Sequence, residues 1–207
     1  MNHQVVFAHL ETLFGETPVC ELDYSTDIDL LVAIMLSAQC TDKRVNMVTK
    51  NLFTRYKTIQ DYANADPTEL EKFIHSTGFY RNKAKNIIAM AQTVINDYNG
   101  QIPVELDQLV ALPGVGRKTA SVFLCEYHKV PAMPVDTHVG RLARRLGWST
   151  SHSATIIERD LTAILPRENW ANYHLLMVLF GRYYCTARNP KCYECKLKEN
   201  KTCSWTK

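Results

Sequence analysis

The chain has 207 residues, 46% of them hydrophobic and 22% charged, with a formal net charge of +3. That balance suits a soluble globular protein of one or two small domains. No apolar run approaches the ~18 residues of a membrane span, and Met1 to Leu10 has neither a basic end nor a long apolar stretch, so membrane and secreted classes are set aside and a cytoplasmic protein is expected.

The charge is uneven. Segment 181–207 holds seven Lys/Arg against two Asp/Glu and segment 111–146 six against two, while the remainder holds eleven against seventeen. Two basic segments on an acidic body fit a polyanion-binding face, and they also fit chance clustering on a solvated surface. Seven cysteines are many for a reducing compartment. An odd total with four crowded at the C-terminus argues for a metal site over a disulfide framework.

Helical periodicity runs nearly throughout, without sustained strand-like alternation. An apolar helix over Leu30 to Leu36 is followed by a second that Thr41 can cap. Asp66-Pro67-Thr68-Glu69 is a helix start, with a capping Asp, Pro at the first helical position and Glu in the first turn. Residues 80–98 place Ala84, Ile87, Ile88, Ala91, Val94 and Ile95 at three-and-four spacing, and Gly100 supplies the stop. Helices over 105–111 and 117–128 flank a glycine turn. Pro131 and Pro134 mark the best candidate for a break in the chain. Further helices are expected over Thr137–Leu146, Ser153–Leu165 and Glu168–Tyr184. About ten helices on short loops predict a compact all-α protein.

Three motifs carry chemistry. In Leu112-Pro113-Gly114-Val115-Gly116-Arg117-Lys118-Thr119-Ala120, two glycines permit a tight turn with positive φ, leaving backbone N–H groups outward at a helix start. That is an anion site suited to a DNA phosphate. Arg117 is a phosphate contact. Lys118 is either a second one or a nucleophile, because a cation in the first turn opposes the helix dipole and an uncharged amine can form a Schiff base. In Val135-Asp136-Thr137-His138-Val139-Gly140-Arg141, Asp136 is a good N-cap, and the same carboxylate can stabilise positive charge or accept a proton. His138 is read as structural, while Arg141, Arg144 and Arg145 make this helix basic and able to face phosphates. Finally, Cys185-x6-Cys192-x2-Cys195-x7-Cys203 places four thiols within 19 residues, a set that fits either zinc or a [4Fe–4S] cluster.

The hairpin run, with Val135-Asp136-Thr137-His138 placing its Asp 18 residues after Lys118, resembles the endonuclease III family of helix-hairpin-helix DNA glycosylases. So do Leu36-Ser37-Ala38-Gln39-Cys40-Thr41-Asp42 and Thr77-Gly78-Phe79-Tyr80-Arg81-Asn82-Lys83-Ala84. The resemblance runs from about Leu10 to Cys203. It implies a two-lobed all-α fold with the active cleft between a six-helix domain, 21–130, carrying the hairpin, and a cluster domain, 1–20 plus 131–207.

By the same resemblance Lys118 is the nucleophile and Asp136 the catalytic carboxylate, meeting across that cleft. Gln39 fills the gap left by an extruded base, Phe79 stands where the family has its wedge residue, and Asp42 lies near the pocket. Gly114, Gly116, Arg117, Arg141, Lys196 and Lys198 contact DNA, the two last from a loop that also carries Lys201. Cys185, Cys192, Cys195 and Cys203 hold a [4Fe–4S] cluster, although the last gap is x7 where the family has x5.

The implied activity is removal of oxidised pyrimidines such as thymine glycol, coupled to strand cleavage by β-elimination 3′ to the site. The implied protein is a monomer acting on damaged double-stranded DNA, with no membrane, in the bacterial cytoplasm or nucleoid. An adenine-mismatch relative would lack the lysine at 118. A thymine-mismatch or pyrimidine-dimer enzyme, a non-catalytic DNA-binding protein and a cluster-based redox regulator are the competing readings.

Overall fold

The computed structural model describes residues 3–203 and Trp205. Among the described residues the chain is helical throughout, without strands, and no helix is long and apolar enough to cross a membrane. It divides into two units, Cys20–His128 and a second made of Met1–Val19 with Lys129–Lys207. Each has its own hydrophobic core.

The first unit is built round the helix Asp27–Ser37. Nine consecutive residues, Ile28 to Leu36, are buried, all apolar but the capping-box Asp29, so this helix is enclosed on all sides, as a central helix must be. It begins three residues earlier than the apolar run suggests, because Thr26 and Asp29 close a capping box. Around it stand Asp42–Arg55, Ile59–Ala63, Pro67–Ile74, Tyr80–Tyr98, Leu106–Ala111 and Arg117–Tyr127. In chain order from His3–Phe14 of the other unit as α1, these are α2 to α8. The unit thus holds seven α-helices where six were expected. The extra one, α4, is a five-residue turn fixed by a second capping box between Thr58 and Asp61. The capping roles of Thr41 and Asp66 are present, each side chain accepting from the third residue on. Helix α6 stops where Asn99 and Gly100 turn left-handed, with φ 53° and 79°.

The hairpin joins α7 to α8, and its two glycines differ. Only Gly114 has positive φ, 75°. A Cβ there would also lie 2.6 Å from the Cβ of Asn86 on α6. Gly116 has φ −80° and ψ 166°, open to any residue, and nothing stands within 4 Å of its missing Cβ. The positive-φ turn expected of this run is thus made by Gly114 alone, with its packing, while Gly116 keeps an outer face bare.

The second unit comprises α1, α9 (Thr137–Arg145), α10 (Ala154–Ile164), α11 (Trp170–Tyr183) and α12 (Lys196–Glu199). The expected Glu168–Tyr184 helix is split, a 3₁₀ turn over Arg167–Asn169 preceding α11. Phe7 of α1 stacks on Tyr173 of α11 at 3.4 Å between ring centroids, which ties the chain's start to the core formed by Leu142, Leu161, Leu176, Met177 and Phe180. Gly181 lets α9 and α11 approach closely, since a Cβ there would meet that of His138 at 2.8 Å.

Gly114→Ala should lower unfolding stability by roughly 2–4 kcal/mol, from left-handed strain plus the clash on Asn86. Gly116→Ala should change it by less than about 1 kcal/mol. Urea denaturation of both variants checks the contrast.

Candidate active site

In unit Cys20–His128, α8 starts at Gly116 with no side chain capping it. Its first turn of backbone bonding closes from Ala120 N to Gly116 O at 3.0 Å, so the amides ahead of it face outward from the helix end. Gly114, Gly116, Arg117 and Lys118 line this turn, while Leu112 and Val115 are buried and anchor it. Gly114, Gly116, Arg117 and Lys118 are exposed, and the backbone of Gly114 lies close over Asn86. This is a bare, positively polarised helix end able to hold a phosphate by its amides. Lys118, the second residue of α8, carries its amine out from the same turn.

Two other loops of this unit carry strained probes. Gln39, just beyond α2, has φ 55°, and Phe79, which precedes α6, has φ 48°. A large residue in the left-handed region stores strain and points to a position held for a reason. Phe79 is 65% exposed, so it is no core residue. Gln39 is exposed as well. Asp42 is the first residue of α3 and is half-buried.

In the other unit, Asp136 caps α9. Its Oδ1 accepts from His138 N and Val139 N, both at 2.8 Å. Both capping bonds end on one oxygen of the half-buried carboxylate, so the cap itself does not use Oδ2. His138 fits its structural reading. It is wedged against Gly181, and its Nδ1 stands 3.2 Å from Arg141 Nη2.

The arginines of α9 depart from the solvent-facing basic helix the sequence suggests. Arg141 donates to Cys185 O at 3.0 Å and to Gly181 O, and burial pulls its guanidinium below the ordinary arginine value. Arg145 is only 9% exposed. It donates to Cys185 O at 3.2 Å, Cys185 Sγ at 3.1 Å, Thr186 O at 2.7 Å and Ala187 O at 3.0 Å. Its guanidinium also lies 4.0 Å from the ring centroid of Trp205. Sequence reasoning missed this residue as a loop organiser. A basic helix with Val139, Leu142 and Ala143 on one face gave no sign that its last arginine turned inward.

The loop those arginines hold bears the four cysteines. Cys185, Cys195 and Cys203 pack on the unit's core. Cys203 lies near both Cys185 and Cys195, and Cys192 lies near Cys195. Burial pushes the Cys185 thiol up, and the bond from Arg145 opposes that rise; burial likewise raises Cys195. The loop is wound by Cys195 N to Cys192 O at 3.4 Å and Cys203 N to Leu197 O at 2.7 Å. No three metal-binding side chains among the described residues stand at the spacing of a closed metal centre. The donor set still suits a thiolate-bound metal group: four clustered thiols and a buried cation donating to one sulfur. In the same loop Lys196 is exposed, whereas the amine of Lys198 donates to Trp205 O at 2.8 Å.

Residues 32–167 match the family model described as HhH-GPD superfamily base excision DNA repair protein. Endonuclease III of Bacillus subtilis is 48% identical over 181 residues, 86% of this chain and 82% of that protein. The Synechocystis endonuclease III is 47% identical, with the same two coverages. Among solved structures, a trapped endonuclease III–DNA covalent intermediate superposes with a TM-score of 0.90 at 43% identity, over 99% of this chain and 96% of that one. A thermostable thymine-DNA glycosylase, at 23% identity and a TM-score of 0.85 over 97% of this chain and 94% of that one, shares the fold. With the bare hairpin helix, the helix-capping Asp136 and the cysteine loop in place, the chain belongs to the endonuclease III family of HhH-GPD base excision DNA repair proteins.

Proposed function

We propose that this DNA glycosylase and AP lyase removes oxidised pyrimidines from duplex DNA, with Lys118 as nucleophile and Asp136 as its acidic partner. The observation that carries the reading is the amine of Lys118 standing exposed in the first turn of an uncapped helix, beside amides suited to a phosphate. The trapped covalent complex of the structural relative supports a covalent route.

The damaged nucleotide leaves the stack, since C1′ is out of reach inside the duplex. Gly114, Gly116 and Arg117 hold the backbone, while Gln39 and Phe79 take up the vacated stack. The lone pair of the Lys118 amine forms the N–C1′ bond as the glycosidic C–N bond breaks and the base departs with its electron pair. Asp136 offsets positive charge at C1′ and accepts the proton the amine sheds. Ring opening gives the Schiff base, which acidifies C2′. Loss of that proton expels the 3′ phosphate, and water then frees the lysine. The reaction needs both groups at one sugar.

Cys185, Cys192, Cys195 and Cys203 would hold a [4Fe–4S] cluster. When bound, it would serve as a structural centre shaping a basic phosphate-binding loop, with no redox step in the reaction. Lys196 is the better phosphate contact of that loop, because Lys198 is engaged with Trp205. Arg141 acts by fixing this loop to α9. The protein would act as a monomer in the bacterial cytoplasm or nucleoid.

Lys118→Ala should abolish borohydride trapping on thymine-glycol duplexes. Asp136→Asn should still bind the lesion in a mobility-shift assay while turnover falls by about 10²-fold or more. A Lys118→Ala protein that traps normally refutes the assignment.

Arg145→Ala should cost about 3 kcal/mol, because three loop carbonyls lose a charged donor. Limited proteolysis should then cut within 186–203 well before the wild type is cut. Equal protease resistance would show that the loop stands without this arginine.

A further inference from the structure

Lys83 lies in the first turn of α6 and is buried, 7% exposed. A buried ammonium is costly unless every proton finds an acceptor. Here all three do: Nζ donates to Leu36 O at 2.8 Å, Ala38 O at 3.0 Å and Thr77 O at 2.8 Å. Two of these carbonyls close the C-terminal end of α2, where a cation also meets the negative end of the helix dipole. The third closes the 3₁₀ turn His75–Thr77.

Each anchored loop leads directly into a strained residue. Beyond Ala38 comes Gln39 at φ 55°, and beyond Thr77 come Gly78 at φ 72° and Phe79 at φ 48°. One ammonium therefore fastens the roots of both strained, outward-facing probes. Without it, three carbonyls would lose their donor and the two loops would lose the cation that joins them. Burial pulls the Lys83 amine below the ordinary lysine value, and the nearby Cys40 opposes this.

We infer that Lys83 is a positioning residue that fixes Gln39 and Phe79 at one spacing, so that the two enter the base stack as a single unit. The inference rests on the proposed roles of those two side chains in holding an extruded nucleotide. It assigns the lysine no contact with DNA and no step in the chemistry.

The test uses the full chain with Lys83→Met, which keeps the stem and removes the donors, and Lys83→Arg, which keeps a cation with several donors. Each is assayed in single turnover on a thymine-glycol duplex and by borohydride trapping on a single-stranded abasic oligonucleotide, where no stack has to be opened. Lys83→Met should lose about 10- to 100-fold on the duplex while trapping the single strand within about 2-fold of wild type, and Lys83→Arg should recover most of the loss. Duplex activity at the wild-type level in Lys83→Met, or equal loss on both substrates, would overturn the proposal.

Should the Met variant fail to fold, the probes themselves decide. In the Lys83 background, Gln39→Ala combined with Phe79→Ala should cost little more than the worse single change, and additive losses would overturn the inference. A wild-type chain that traps neither substrate would sink the proposed function, and this inference with it. A wild type that traps both, with additive probes, sinks the fastening alone.

Discussion

A side chain at position 114 would be strained and would clash with α6, and the rest of the hairpin depends on its absence. Its Cβ would overlap Asn86 of α6, and its φ of 75° is one that L side chains rarely adopt. With glycine there, the link between α7 and α8 can lie down on α6, Leu112 and Val115 can be buried on either side of it, and α8 can begin abruptly at Gly116. An abrupt start without a capping side chain leaves the helix amides for an outside acceptor. The lysine one residue into the helix is thereby fixed in place beside that acceptor. Packing inside the unit thus dictates where the amine is displayed.

The unit formed by Met1–Val19 and Lys129–Lys207 solves a different problem, that of holding a cysteine-rich loop with little regular structure. It commits two arginines of α9 to backbone carbonyls. Arg145 alone reaches Cys185, Thr186 and Ala187, and its planar fork suits several acceptors at once in a way a lysine could not match. Because α9 also opens at Asp136, one nine-residue helix joins the proposed catalytic carboxylate at its start to the loop at its end. A disturbance of the loop can therefore reach the carboxylate through a rigid element.

Local rules written in the chain made much of this readable. Asp66 before Pro67, Thr41 before α3 and Asp136 before α9 are capping residues whose side-chain bonds depend on near neighbours alone, and all three are present. The three-and-four spacing in 80–98 gave α6 its bounds. What stayed hidden depends on distant partners. Gly114 and Gly116 look alike in sequence, and only the presence of Asn86 separates their roles. The inward turn of Arg145 depends on a loop 40 residues away, and the burial of Lys83 on carbonyls 45 and 47 residues away. Sequence periodicity takes a charged residue as solvated; long-range acceptors overrule it here.

The central claim is that one amine, that of Lys118, bonds to the sugar. The most direct test is peptide mapping by mass spectrometry of the wild-type chain after borohydride reduction on thymine-glycol DNA. The expected result is a nucleoside-derived mass on the peptide spanning residue 118, with tryptic cleavage blocked at that lysine. The same mass on Lys83, Lys129 or any other amine, with Lys118 unmodified, would contradict it.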